Sequence, residues 1–405
     1  MKFVSVPVEQ QLEHIKRHNV VELISEDELL KKLERAQKMG RPLRIKYGAD
    51  PSRPDLHLGH YVCFRKLKQF QDLDHKVVFI IGDFTAMIGD PSGRSKTRPR
   101  LTEEEVRENA KTYMEQVGKV LDVERVEVVF NSKWLGRLTA KEVIELAATY
   151  TVARMLERDD FAHRFKSGLP LFIHELLYPL FQGYDSYMIQ ADVEIGGTDQ
   201  KFNFVVGREV QRAFGQEPQV ILTLPLLEGT DGKRKMSKSF GNYIAINDPP
   251  NEIYGKVMSI PDELILRYYQ LVLYYDEAEL REVEKQMKEN PRDAKAKLAY
   301  EIVKLFYPES EAKRAEEEFN RIFREKRAPS EMPEFRIPQD GKWIVELIAD
   351  IGFAKSRSEA RRLIAQGGVK VDGEPVRDIN FVIKPKPEGV VLKVGKRKFA
   401  KIKPI

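Results

Sequence analysis

The chain has 405 residues, of which 42% are apolar and 32% charged, a globular composition that excludes a disordered or membrane-embedded chain. No run approaches the ~18 consecutive apolar residues needed to span a bilayer, and the opening MKFVSVPVEQ reaches a Glu too soon for a secretory signal. The one cysteine, Cys63, excludes an intramolecular disulfide framework or a Cys-cluster metal site and implies a reducing, cytoplasmic compartment. The net charge of +5 is unevenly spread: residues 340–405 hold 15 Lys+Arg against 8 Asp+Glu, and the rest 53 against 55. A basic terminal module suggests a polyanionic partner, most simply nucleic acid, although a solvated basic surface fits charge alone equally well.

In chain order, residues 43–47 read as a strand, about 58–71 as a helix and 77–81 as a β-branched strand. Thr102 with Glu105 forms a capping box opening a helix toward Leu121. Residues 126–130 read as another strand. Strands alternating with helices predict an α/β fold with a parallel sheet. Residues 139–190 are largely helical and read as an insertion, after which strand signals return at 192–195 and 220–224. The expected domains are 1–240 (nucleotide-binding, with the insertion), 241–327 (helical), a proline-bearing linker at 328–339, and a small α+β module at 340–405. In that module a helix near Trp343–Asp350 precedes one capped by Ser356-x-x-Glu359. Gly367-Gly368 stops the second helix, and Asp372-Gly373 turns between strands.

Two segments carry the strongest chemistry. The first, Asp50 to His60, lies between the first strand and first helix and contains His57-Leu58-Gly59-His60. In an open parallel sheet ligands bind at the carboxyl ends of strands, where helix N-termini favour phosphate. Gly59 lets a flat ring approach the backbone. Alone, H-x-G-H is also compatible with a metal half-site or two surface histidines. The second, Lys235-Met236-Ser237-Lys238-Ser239, lies in a loop rich in Gly, Asp and Lys whose cations can swing onto a triphosphate. Alone, it reads as a basic surface loop. A third pattern, Tyr178, Gln182 and Asp185, puts three polar groups on one face of an apolar helix, which packing explains poorly.

Together HLGH and KMSKS resemble the two signatures of class I aminoacyl-tRNA synthetases. Ile88–Gly93 (IGDPSG), Tyr178–Asp185 (YPLFQGYD) and Gly196–Gln200 (GGTDQ) narrow the resemblance to tyrosyl-tRNA synthetases of bacterial type. The tail, with SRSEARRLIAQGGVKVDG, resembles an S4-type RNA-binding module. The resemblance implies a Rossmann-like catalytic domain, a helical domain of anticodon-binding type and an S4-like domain, assembled as a cytoplasmic homodimer. It implies tyrosine, ATP with its Mg2+, and tRNA(Tyr) as partners, with no membrane and no protein-held metal.

By the same resemblance His57 and His60 contact ATP phosphates, and Lys235 and Lys238 clamp the departing pyrophosphate. Asp50 and Gly59 line the nucleotide side, and Gly197 with Asp199 receives the ribose. Asp90, Tyr178, Gln182 and Gln200 receive the tyrosine ammonium group, and Asp185 accepts from the phenol. Arg357, Arg361, Arg362 and Lys370 contact tRNA, and Arg94 and Arg98 are candidates for pyrophosphate or the acceptor end. One departure stands out: Lys46 occupies the position where many relatives carry a second tyrosine for the phenol. Its neighbour Tyr47 points to the other face of the strand. Asp83 is a further polar candidate near the pocket. Two alternatives remain, a tryptophanyl-type synthetase and a catalytically silent RNA-binding protein on the same scaffold.

Overall fold

A computed structural model of the chain describes residues 1–92, 101–325, 328–329, 332–395 and 398–405. It divides into two compact units, Met1–Ala312 and Lys313–Ile405.

The first unit is built on a six-stranded sheet: β1 (Glu22–Ile24), β2 (Arg44–Ala49), β3 (Lys76–Ile81), β4 (Glu127–Phe130), β5 (Val193–Gly197) and β6 (Val220–Leu224). The strand order is β1-β6-β5-β2-β3-β4. All pairs are parallel except β1 with β6. Parallel strands covered on both faces read as continuous apolar runs. Accordingly, Val77 to Ile81 and Val220 to Leu224 are 1% exposed or less. The chain leaves β2 toward β3 and β4, then crosses back to β5 on the other side. The reversal opens a crevice at the carboxyl ends of β2 and β5, where such folds bind ligands.

Helix Leu58–Asp72 follows β2, buried through Tyr61, Phe64, Leu67 and Phe70. The Thr102–Glu105 capping box opens helix Glu103–Ala110, which ends well short of Leu121; a second piece, Tyr113–Val117, follows. The insertion forms helices Ala140–Ala147, Val152–Met155, Asp159–Lys166 and Ile173–Met188. Its core joins Leu146, Met155 and Phe161 to Leu180, Phe181 and Val210. The helices from Pro250 to Lys304 belong to the same unit as the sheet: the Tyr307 hydroxyl donates to the Asp248 carbonyl at 2.9 Å, and Tyr61 meets Phe306 edge-on. Residues Met1–Ala312 form one compact unit.

The second unit holds a five-stranded sheet, β10-β9-β12-β13-β7. Its strands are β7 (Glu334–Ile337), β9 (Val369–Val371), β10 (Glu374–Pro375), β12 (Val390–Val394) and β13 (Lys398–Pro404); β8 (Lys342–Trp343) pairs separately with β11 (Val382–Ile383). Helices Ile344–Asp350 and Arg357–Ala365 cover its apolar face through Leu347, Ile348, Ala360 and Ile364. Asp372 and Gly373 both have positive φ, +49° and +89°, the conformation a two-residue hairpin needs between β9 and β10. Part of the expected linker is a strand: β7 pairs in parallel with β13 at the sheet edge. Pro333 and Pro338 bracket it, and an edge strand tolerates such flanks because only one side needs its amides.

Candidate active site

Every residue assigned by resemblance to ATP or tyrosine lines one cleft of about 270 Å³ at the carboxyl ends of β2 and β5. The HLGH segment enters as a helix cap. His57 is the N-cap residue of helix Leu58–Asp72, and its Nδ1 accepts the Gly59 amide at 3.1 Å. The His57 amide in turn donates to Nδ1 of His60 at 3.1 Å. Both Nδ1 atoms are therefore acceptors, and each neutral ring carries its proton on Nε2, a donor directed away from the backbone. Burial, then the neighbouring His60 and lysines, hold His57 well below the usual imidazole range; burial and Lys238 push His60 down to about 3. At neutral pH the pair offers two hydrogen-bond donors and no charge. A Cβ on Gly59 would stand 3.0 Å from the His57 ring, so glycine permits this cap.

The KMSKS loop is tethered at its centre. Met236 is 5% exposed and its amide donates to the Leu227 carbonyl. Asn242 accepts from the Ser237 amide and donates to Asp231. The two lysines flank this anchor. Lys235 Nζ lies 2.5 Å from Asp199 Oδ2. Lys238 Nζ lies 3.1 Å from both the Arg53 carbonyl and the Tyr113 hydroxyl, beside HLGH. A Cβ on Gly197 would come within 2.7 Å of both Leu226 and Asp199, so this glycine makes room for the carboxylate.

The deeper part of the cleft is walled by helix Ile173–Met188. Tyr178 donates to Asp50 Oδ2 at 2.8 Å. Asp50, expected on the nucleotide side, is thus bonded to Tyr178, which was expected at the amino-acid end. Gln182 Oε1 accepts from Asn203, which also donates to Gln200; Gln200 donates to Asp90 at 2.9 Å. At the far end Asp185, 4% exposed, accepts from Trp134 Nε1 at 2.7 Å and Asn131 Nδ2 at 3.1 Å. Burial raises its carboxyl to about 7 against the opposing pull of Lys46 and of these two donors.

Several of these side chains escaped the sequence analysis. Thr85 donates to Asp50 at 2.7 Å and accepts from Asn131, so a hydrogen-bond chain Asp50–Thr85–Asn131–Asp185 spans the pocket. Asp83 does not line this cleft: its carboxylate accepts from the Ser132 amide and hydroxyl. Thr85, two residues on, occupies the role considered for it. Trp134 and Asn131 come from the segment after β4, and nothing local marks them. Tyr47 packs against Phe64 and Phe79, on the opposite side of β2 from Lys46. Arg94 and Arg98 lie outside the described residues.

In the second unit Arg357, Arg361, Arg362 and Lys370 are all exposed. Arg357 pairs with Glu346, and the Arg361 guanidinium lies over the Trp343 ring. Arg362 reaches Glu359 only at 4.0 Å.

Residues 37–324 match the family model described as tRNA synthetases class I (W and Y), and residues 342–387 match the S4 domain. The chain belongs to this class I tRNA synthetase family. It is 60% identical over 397 residues to the tyrosine–tRNA ligase of Thermotoga maritima, covering 97% of each chain. To the tyrosine–tRNA ligase of Carboxydothermus hydrogenoformans it is 54% identical over 403 residues, covering 98% of each. The solved Archaeoglobus fulgidus tyrosyl-tRNA synthetase, complexed with L-tyrosine, superposes with a TM-score of 0.61 at 24% identity, over 76% of this chain and all of that one, and shares the fold.

Proposed function

We propose that this chain activates tyrosine with ATP and transfers the tyrosyl group to the 3′ end of tRNA(Tyr). The carrying observation is one cleft with two opposite chemistries. At one end neutral histidines and two lysines offer donors suited to phosphate. At the other a buried carboxylate, Asp185, waits at the end of a polar stripe. The near-full-length relatives named tyrosine–tRNA ligase support the same activity.

In the first step a tyrosine carboxylate oxygen bonds to the α-phosphorus of ATP, and the bond from that phosphorus to the β-phosphate bridging oxygen breaks. The protein's task is to align the reactants and stabilise the charge that accumulates on the phosphates. Nε2–H of His57 and His60 would donate to phosphate oxygens, and Lys235 and Lys238 would hold the leaving pyrophosphate. Asp199 and Gly197 would take the ribose, with Asp50 and Gly59 beside the nucleotide. Asp90, Tyr178, Gln182 and Gln200 would receive the ammonium group. Asp185 would accept from the phenol; phenylalanine would leave that buried carboxylate short of a partner. The groups facing the phosphates are donors, so a magnesium ion would ride on phosphate oxygens as part of the nucleotide substrate.

The exposed arginines and Lys370 of the S4 module fit RNA phosphates, for which the guanidinium fork is well shaped. The insertion leaves Ile144, Val152, Phe165 and Ile173 more than 60% exposed, an apolar surface suited to a second copy in a cytoplasmic homodimer. ATP–pyrophosphate exchange with each of the twenty amino acids tests the central reading. Exchange should depend on tyrosine; dependence on tryptophan, or no exchange at all, would overturn it.

A further inference from the structure

Lys46 and Glu194 stand opposite each other in the β2/β5 register, with Nζ and Oε1 2.7 Å apart. They are 1% and 2% exposed. Two charges this deep are costly to desolvate unless both find further partners, and as a fold-stabilising element an apolar pair of equal volume often does as well. Here the further partners are the wall of the amino-acid pocket. Lys46 Nζ donates to the Gln182 carbonyl at 2.8 Å and to Ser186 Oγ at 2.7 Å. With Glu194 these acceptors match its three protons, leaving none for a substrate phenol. Glu194 accepts from Gln182 Nε2 at 3.3 Å and also from Gln219 Nε2. The pair thus holds Gln182 at both its backbone carbonyl and its side-chain amide. From Gln182 the bonds run on through Asn203 and Gln200 to Asp90.

We propose that the Lys46–Glu194 ion pair is the positioning device of the amino-acid pocket: it fixes Gln182 and the helical turn to Ser186 in the geometry that receives the substrate ammonium group. The proposal rests on the assignment of Tyr178, Gln182 and Asp185 to that pocket. Both residues act through Gln182 and Asp185 rather than on the reacting atoms. The lysine that stands where many relatives carry a phenol-binding tyrosine thereby acquires a different task in the same pocket. The charged groups acting on Asp185 are Lys46, which lowers its pKa, and Glu194, which raises it less.

The test uses the full-length Lys46→Met/Glu194→Gln double variant, which removes both charges and leaves neither orphaned. ATP–pyrophosphate exchange should show KM for tyrosine raised about tenfold or more, with KM for ATP within about twofold. The acid limb of the tyrosine kcat/KM profile should move to higher pH, because Asp185 loses its nearby cation. Ser186→Ala, which removes one Lys46 partner, should raise the tyrosine KM by a smaller factor and guards against a double variant that fails to fold. A folded double variant with unchanged tyrosine KM and pH profile would overturn the proposal. So would equal rises in both KM values, or unchanged tyrosine KM in Ser186→Ala where the double variant does not fold. Gln182→Ala and Asp185→Asn serve as controls: if neither alters tyrosine KM, the pocket assignment itself has failed.

Discussion

Lys235 and Asp199 form an ion pair of 2.5 Å between the KMSKS loop and the carboxyl end of β5. Lys235 is proposed to hold the pyrophosphate and Asp199 the ribose, different parts of ATP, so nucleotide binding should separate the pair. Asp199→Ala should raise KM for ATP about tenfold or more, leaving tyrosine affinity within about twofold, as for removal of a ground-state interaction. Lys235→Ala should slow adenylate formation by about 10²–10³-fold, as for an interaction made in the transition state. Because each removes the other's partner, the two effects should fail to add. Single-turnover activation kinetics on the single and double variants would check this, and simple additivity would contradict it.

The HLGH cap predicts a two-part effect. His57→Ala removes both an Nε2–H donor and the acceptor that caps helix Leu58–Asp72. Stability should fall by about 1 kcal/mol, the usual worth of an N-cap. Adenylate formation should slow by about 10²–10³-fold, with tyrosine affinity little changed. Lys238→Ala should show the kinetic loss without the cap loss. Denaturant unfolding beside rapid-quench activation separates the two, and equal destabilisation in both variants would argue against the cap.

Asp185 should give tyrosine recognition an acid limb. Its folded carboxyl is raised to about 7, mainly by burial, above the ordinary carboxylate value. As pH falls below about 7 the carboxylate is protonated and becomes a neutral, weaker acceptor for the phenol. The kcat/KM for tyrosine should then fall toward a slope of tenfold per pH unit, while KM for ATP stays flat. The stability linkage has the opposite sign. A raised carboxyl contributes stability that is fully present below the unfolded value and is lost as pH rises through about 7. Asp185→Asn should flatten both dependences and reduce tyrosine activation at every pH.

The exposed apolar side chains of the insertion predict self-association. Light scattering at micromolar concentration should give twice the 46.9 kDa chain mass. Ile173→Glu, at a side chain 77% exposed, should lower that mass at little expense to protomer stability. A monomeric parent chain would contradict the prediction.

The terminal module should act on tRNA affinity rather than on activation. Arg362→Gln and Lys370→Gln should each weaken tRNA binding and reduce the salt slope by a little under one unit for every phosphate no longer neutralised. Arg357 and Arg361 already touch Glu346 and Trp343, so their replacement should also loosen the module slightly. Removing residues 340–405 should spare ATP–pyrophosphate exchange and raise the apparent KM for tRNA. Unchanged aminoacylation kinetics would assign the module another role.

What the sequence determined by itself was whatever chemistry is written in short segments. HLGH, KMSKS and the Tyr178–Gln182–Asp185 spacing are local patterns, and the structure gathers all of them in one cleft. The central parallel strands were legible because burial on both faces demands unbroken apolar runs. The edge strands β1 and β7 were not: they are three and four residues long and gain their order from a single neighbour, β6 for one and β13 for the other. Only the tertiary structure brought Thr85, Asn131 and Trp134 against Asp50 and Asp185, across up to 54 positions of chain. It alone gave Lys46 its partners, from β5 and a helix more than a hundred residues away. A buried charge is stable only where separate segments converge to satisfy it, and that convergence is a property of the fold.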